Sequence, residues 1–159
     1  MHTENTVYIR GSQQRIFELA AATENWPSLL PHYRRVTVLA RTPDGRRKVV
    51  EMAAVRAGFP APGLRFPVHW RSVQVSEPEQ GRIYFKHLAG VAAGMWVVWN
   101  LEPDAWGRGT RVSIRHDLTY PFQALNGWFA QELVGRQFVQ AIAGRTLATI
   151  KAKVESEPG

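Results

Sequence analysis

The chain has 159 residues, 45% of them hydrophobic, which is enough for one domain of ordinary size around a packed core. Its formal charge is +7, from 20 Lys and Arg against 13 Asp and Glu, and it contains no cysteine. This composition excludes disulfides, a thiol nucleophile and a cysteine-ligated zinc site. No apolar run approaches the roughly 20 residues of a membrane-spanning helix, and the first residues are polar. We therefore expect a single domain over residues 1–159, cytoplasmic and without stable membrane insertion.

The positive charge does not by itself indicate a nucleic-acid partner. The basic residues are scattered, and the one tight cluster, at 46–48, follows the turn signal Asp44-Gly45. Such a cluster is typical of a solvated hairpin tip. With no zinc-finger spacing, RNA-binding signature or basic heptad helix, we expect no nucleic acid among the partners.

The first part of the chain predicts one strand and two short helices. Residues 6–10 alternate and are rich in β-formers, which predicts a strand. Ser12 is a suitable N-cap for an amphipathic helix that ends near Ala22. A second short helix is predicted from Thr23 and ends by Pro31.

Six further strands follow, separated by short turns. They are predicted at residues 36–40, 48–56, 68–75, 82–88, 95–101 and 110–119. Because short turns join antiparallel neighbours, these six strands should form a meander. Residues 58–63 are rich in Gly and Pro and predict a stiff loop.

The last third of the chain predicts a long helix with one apolar face. Apolar residues recur at helical spacing, namely Phe122, Leu125, Phe129, Leu133, Val139, Ile142, Leu147, Ile150 and Val154. Asn126-Gly127 tolerates non-helical backbone, so the long helix should run from about residue 128 to 155. Such a helix spans about 40 Å and needs a large sheet to cover its apolar face.

Period-two alternation divides each strand into two faces, and the inner set is unusual. Facing the helix we expect Trp70, Ser72, Gln74, Ile83, Phe85, His87, Met95, Val97, Trp99, Leu101, Val112, Ile114, His116 and Leu118. This set combines large aromatic side chains with isolated polar ones. It faces small residues of the helix, among them Ala141, Ala143, Gly144 and Ala148.

Two interpretations fit that inner set. A cavity lined by aromatic side chains and a few polar groups is typical of a ligand pocket. A packed core with hydrogen-bonded histidines explains the same residues, since buried polar groups need partners. The outward set includes Trp96 and Val98, which leaves room for an interaction surface and a monomer or weak homodimer.

The order of elements resembles the helix-grip fold of the START-like superfamily, which includes polyketide cyclase/dehydrase and lipid-transfer proteins. Most of the likeness lies in residues 5–39, in Asn25-Trp26-Pro27 and in Leu30-Pro31-His32-Tyr33. The resemblance implies an α+β fold in which a curved antiparallel sheet of about seven strands wraps a long C-terminal helix. It also implies a deep cavity that holds a hydrophobic ligand, with no cofactor.

By position, the residues that resemble the aromatase/cyclase pocket are Trp26, Tyr33, Trp70, Ser72, Met95, Val97 and Trp99. Alternation adds Gln74, Phe85, Ile114 and, from the helix, Gly144. One departure concerns the pocket arginine of that family, which would fall near Gln74. The nearby Arg71 should point outward.

Three residues are the candidates for acid–base chemistry: His116, His87 and Tyr33. A structural role for each remains open, and with two inward histidines we expect no metal site. Two functions follow as expectations: a polyketide cyclase, aromatase or dehydratase that moves protons, or a non-catalytic protein that binds or transports a lipid, isoprenoid or quinone.

Overall fold

The structure, a computed structural model, describes residues 1–58, 61–90, 92–119 and 136–158. Its strands are β1 His2–Ile9, β2 Tyr33–Arg41, β3 Arg47–Ala57, β4 Arg65–Glu77, β5 Arg82–Gly90, β6 Trp96–Pro103 and β7 Thr110–Asp117. Its α-helices are α1 Gln13–Ala21, α2 Trp26–Leu29 and α3 Gln137–Ser156. Short 3-10 turns lie at Thr23–Asn25 and Pro78–Gln80.

All seven strands form one antiparallel sheet in the order β1-β7-β6-β5-β4-β3-β2. Strands β2 to β7 are the predicted meander, and β1 adds to the free edge of β7. The long helix and the two short helices between β1 and β2 complete the arrangement. The predicted α+β helix-grip fold is therefore confirmed.

The sheet has two ends, which differ in their connections. The turn end carries the short turns at 42–46, 78–80 and 104–109. The loop end carries the start of the chain and the connections at 58–64 and 90–95.

Helix α1 is positioned by its ends. The Ser12 hydroxyl oxygen accepts a hydrogen bond from the Arg15 backbone N–H at 3.1 Å, which confirms the predicted N-cap. The buried face of the helix carries Ile16 and Ala20. At its other end the chain turns into the 3-10 turn and α2, which brings Trp26 beneath the inner face of the sheet.

Helix α3 lies along β1, β7 and α1. Its buried face includes Leu147, Ile150 and Val154. A Cβ built on Gly11 would lie 2.2 Å from a Val154 methyl group, so the chain entering α1 can approach α3 this closely only as glycine. The predicted start of the helix near residue 128 and the apolar positions Phe122 to Leu133 lie outside the described residues.

Strand ends differ from the predictions in one consistent way. β1 begins at His2 and β4 at Arg65, each several residues earlier than expected. Thr3 and Asn5 pair with His116 and Ile114 of β7, so the partner strand extends β1 through Glu4 and Asn5, which have low β-propensity. The face assignments, by contrast, are confirmed for β4, β5, β6 and β7.

Candidate functional site

The inner face of the sheet carries a continuous series of aromatic rings. Trp26 lies 6.0 Å from Trp99 and 4.9 Å from Tyr33, measured between ring centroids. Tyr33 lies 5.9 Å from Trp70, and Trp70 stacks on His87 at 5.9 Å with an interplanar angle of 18°. These five rings are called the aromatic ladder. It runs from β6 across α2 and β2 to β4 and β5, with Phe85 beside Trp26 at 6.2 Å.

Polar side chains lie among the apolar ones on the same face. Ser72 of β4 pairs with His87 of β5, and Thr3 of β1 pairs with His116 of β7. Val97 of β6 separates the two pairs, since it lies opposite both His116 and Phe85. The sheet register therefore places hydroxyl and imidazole groups from four strands on one face.

Several polar atoms of this region are buried without a hydrogen-bond partner among the residues that the structure describes. They are the Ser72 hydroxyl, the Thr3 hydroxyl and Nδ1 of His116. Ser72 is fully buried, and His116 is 7% exposed. A buried polar atom without a partner costs about 1–3 kcal/mol, so their coincidence indicates a place where a ligand supplies the missing hydrogen bonds.

Burial controls the protonation of the candidate acid–base residues. It lowers the pKa of His116 to about 3, with a smaller contribution from the nearby His87. His116 is therefore a neutral imidazole at neutral pH. Burial also raises the pKa of the Tyr33 phenol, partly offset by the Thr146 hydroxyl, so Tyr33 keeps its proton.

His32, quoted above only as part of a sequence motif, belongs to the same region. Its Nε2 lies 2.9 Å from the Thr146 hydroxyl, which itself donates to the Ile142 carbonyl at 2.8 Å. Thr146 must therefore accept from Nε2, which leaves Nδ1 of His32 as an unprotonated acceptor. That atom is buried without a partner, and burial together with the Arg145 charge lowers the His32 pKa to about 4.

Gln74 is buried on the inner face, but its amide is fully occupied. Nε2 donates to the Ala21 carbonyl at 2.8 Å and to the Ser76 hydroxyl at 3.2 Å, and Oε1 accepts from Thr23 at 2.8 Å. Lys48 donates to the same Ala21 carbonyl at 2.9 Å. These bonds satisfy the C-terminal end of α1 and leave Gln74 no group for a ligand.

The remaining candidates differ in where the structure places them. The apolar candidates Phe85, Met95, Val97, Trp99 and Ile114 are all buried on the inner face. Gly144 faces β1, where an added Cβ would meet the Asn5 side-chain nitrogen at 3.5 Å. Arg71 points outward, as predicted, and donates to Glu51 at 2.9 Å.

Sequence reasoning missed Thr3 and His32. The strand prediction began at Thr6, although Thr3, Asn5, Val7 and Ile9 continue the inward alternation and could have revealed Thr3. His32 lies outside any regular pattern, so nothing in its spacing predicted its bond to α3. Among the described residues, no three His, Asp or Glu converge as metal ligands.

No described helix is long and apolar enough to cross a lipid bilayer.

On the outer face, Trp96 is 49% exposed, and Lys86 lies 4.6 Å from the centroid of its ring. The predicted outward orientation of Trp96 is therefore confirmed. Its contact with Lys86 is a cation–π pair at the surface.

The chain is similar to several solved structures of the same fold. The TTHA0849 protein from Thermus thermophilus is 23% identical, with a TM-score of 0.77 and 98% of each chain covered. The ZhuI aromatase/cyclase from Streptomyces sp. R1128 is 17% identical, with a TM-score of 0.79 over 98% of this chain and 93% of that one.

A START superfamily protein from Mycobacterium smegmatis is 15% identical, with a TM-score of 0.68 over 97% of each chain. A comparison with curated protein sequences finds no match. The family profile described as polyketide cyclase / dehydrase and lipid transport matches residues 1–155. With this match over nearly its whole length, the chain belongs to the polyketide cyclase/dehydrase and lipid transport family.

Proposed function

We propose that the protein binds a hydrophobic small molecule that carries carbonyl or hydroxyl oxygens, against the inner face of the sheet. The observation that carries this proposal is the placement of the unpartnered Ser72 hydroxyl and His116 Nδ1 on the face that holds the aromatic ladder. Ligand sites are mostly apolar with a few placed polar groups. A purely aliphatic ligand would leave the polar atoms unsatisfied.

The ladder and the polar atoms have separate roles in this proposal. The rings of Trp70 and Trp99 offer flat apolar surfaces to a planar or branched ligand. The Ser72 hydroxyl can donate to a ligand carbonyl, and the neutral imidazole of His116 can exchange a hydrogen bond with a ligand hydroxyl. Position and orientation of the ligand would then follow from a small number of hydrogen bonds.

The family membership and the aromatase/cyclase neighbours support a cyclase, aromatase or dehydratase-like activity on such a ligand. In that activity His116 takes a proton from a carbon or hydroxyl of the ligand, since it is neutral at neutral pH. Tyr33, which keeps its proton, donates a hydrogen bond to the carbonyl where negative charge develops. His87 lies two strands from His116 on the same face and is the second histidine available to such a ligand.

The alternative is a non-catalytic protein that binds or carries a lipid, isoprenoid or quinone. Two observations favour it. A pKa of about 3 makes His116 a weak base, far from the value near 7 that suits general base catalysis. The arginine nearest the expected family position, Arg71, points to solvent and pairs with Glu51.

Binding is tested with a hydrophobic fluorophore and three proteins. Trp70→Ala should weaken binding relative to wild type, because it removes the ladder ring between Tyr33 and His87. Trp106→Ala is the matched control, since Trp106 is 80% exposed in the turn between β6 and β7. Equal binding by all three proteins contradicts the proposal, and native mass spectrometry of the purified protein identifies any bound molecule.

Catalysis is tested separately, with a polyketide mimic that cyclises. His116→Ala should lower turnover by about 10²–10⁴-fold while changing ligand affinity less. Full turnover by His116→Phe contradicts the catalytic role of His116. Ligand binding without turnover in the wild type favours the binding protein.

A further inference from the structure

Three large apolar side chains are exposed at the loop end of the sheet. Leu64 is 52% exposed, Phe66 is 42% exposed and Leu88 is 51% exposed. β5 pairs with β4 only from Trp70 onward, so the hairpin of β3 and β4 projects beyond β5 at this end. Leu64 and Phe66 lie on the projecting hairpin and are called the apolar rim, whereas Leu88 lies farther along the sheet, beside Arg71. Exposed apolar side chains that lie together mark an interaction site more often than the same residues scattered singly.

The charges of the molecule are unevenly distributed between its two ends. Most acidic residues lie at the turn end and on the helices next to it, namely Glu18, Glu24, Asp44, Glu77, Glu79, Glu102, Asp104, Glu155 and Glu157. Residues 52–76, which supply the apolar rim, contain no acidic residue. This hairpin therefore has no negative charge of its own that would repel an anionic partner.

Two arginines near the apolar rim are available to an anionic partner. Arg65 lies between Leu64 and Phe66 in the sequence, and Arg34 lies at the start of β2, beside the base of the hairpin. Both are exposed, and neither forms an ion pair with the part of the chain that the structure describes. In contrast, most arginines at the turn end are paired, as in Arg46 with Glu79 and Arg15 with Glu157.

We propose that the loop end docks on the surface of an anionic lipid membrane. The apolar rim would enter the headgroup region, and Arg65 and Arg34 would lie among the lipid phosphates. Apolar side chains next to unpaired cations are the combination that holds a protein at such a surface. A projecting hairpin tip fits a fluid surface, whereas an acidic protein partner would need a matching groove.

Sedimentation with lipid vesicles tests the proposal. Wild type should sediment with phosphatidylcholine vesicles that contain phosphatidylserine, and much less with phosphatidylcholine alone. High salt should release it, because surface charge attraction is screened. Leu64→Ser with Phe66→Ser should abolish sedimentation, and Arg65→Ala should weaken it about fivefold. Trp106→Ser at the turn end is the control and should sediment like wild type.

Site-specific labelling tests the direction of docking. Because the chain has no cysteine, Leu64→Cys and Trp106→Cys each offer one position for an environment-sensitive fluorophore. Vesicles with phosphatidylserine should shift the emission at position 64 to the blue and leave position 106 unchanged. The thermal unfolding of each variant shows whether it is folded.

Several outcomes overturn the proposal. One is a wild type that does not sediment with either vesicle, and another is equal loss of binding in Trp106→Ser. A blue shift at position 106 without one at 64 also contradicts it. Binding to an acidic polypeptide but to no vesicle would replace the membrane with an acidic protein as the partner.

Discussion

Two neighbouring regions of the inner sheet face treat their polar groups in opposite ways. Near the end of α1, the side chains of Gln74, Thr23 and Lys48 are buried and every one of them has a hydrogen-bond partner. On the same face, the Ser72 hydroxyl and His116 Nδ1 are also buried, and neither has a hydrogen-bond partner among the residues that the structure describes. The first region is called the bonded region and the second the open region.

This difference in hydrogen bonding distinguishes polar groups that stabilise the fold from polar groups that are available to a ligand. Folding alone selects for satisfied polar groups, because an unsatisfied one costs about 1–3 kcal/mol. The bonded region meets that requirement by capping the C-terminal end of α1 with Gln74 and Lys48. The open region does not meet it from within the described chain, which is expected of a site that a ligand completes.

The largest effect should come from the bonded region, with Gln74→Leu. The change leaves the Thr23 hydroxyl without its acceptor and removes one donor from the Ala21 carbonyl. We expect the free energy of unfolding to fall by about 2–3 kcal/mol, measured by urea denaturation. A loss below about 0.5 kcal/mol would show that the hydrogen bonds of Gln74 contribute little to stability. The bonded region would then not differ from the open region in the way described.

The next effect concerns pH and the open region. The folded pKa of His116 is about 3 and its ordinary value is 6.5, so the unfolded chain takes up a proton first as the pH falls. Stability contributed by the neutral His116 is therefore complete above about pH 6.5 and is lost as the pH falls towards about 3. Between pH 6.5 and 5 this loss amounts to about 2 kcal/mol.

His116→Phe should remove that part of the pH dependence, as measured by urea denaturation at several pH values. His32, whose pKa is also lowered, remains in both proteins and cancels in the difference. If the free energy of unfolding depends on pH in the same way in variant and wild type, then His116 is accessible to solvent and the open region is not buried.

A smaller effect is expected at Lys48, which donates to Glu24 at 2.8 Å. Burial is the largest single influence and opposes the charge of Glu24, but the bond and charge of Lys48, a backbone hydrogen bond and the Arg41 charge together outweigh it, so the Glu24 pKa is lowered. The ion pair therefore adds stability above the ordinary pKa of about 4.5, and this stability is lost as the pH falls through the lowered pKa. Lys48→Met should cost about 1–2 kcal/mol at pH 7, and less in acid. If the cost of Lys48→Met does not change with pH, the ion pair between Lys48 and Glu24 does not contribute to stability.

The sequence predicted the fold well because the fold depends on repeating patterns. Alternation in β5, β6 and β7 identified the inner positions of His87, Trp99 and His116, since a strand with one buried face has only one workable register. The boundaries of β1 and β4 were less accurate. Pairing with β7 and β3 extends them through Glu4, Asn5 and Pro67, whose own β-propensity is low.

The site could be predicted only in part, because its chemistry depends on which polar groups find partners. Ser72 and Gln74 have the same inward position in β4 and the same polar character, and the sequence does not distinguish them. The distinction comes from Thr23 and Ala21, which reach Gln74 across more than fifty positions of the chain. The role of Gly144 in a ligand site stays a prediction, and in the fold this residue faces Asn5 of β1.

The smallest effect on stability should come from Ser72→Ala, and it distinguishes the two regions most directly. The Ser72 hydroxyl is buried without a partner, so its removal deletes a cost rather than a bond. We expect the free energy of unfolding to stay the same or to rise by up to about 1 kcal/mol. Affinity for an oxygen-bearing hydrophobic ligand should fall by about fivefold or more, since the ligand loses one hydrogen bond.

Both quantities must be measured on one preparation, stability by urea denaturation and affinity by titration of fluorescence. Ser76→Ala, which removes an acceptor of Gln74 on the same strand, is the matched control. It should lower stability and leave affinity unchanged. If Ser72→Ala instead lowers stability as Ser76→Ala does, then Ser72 belongs to the bonded region and the ligand makes no use of its hydroxyl.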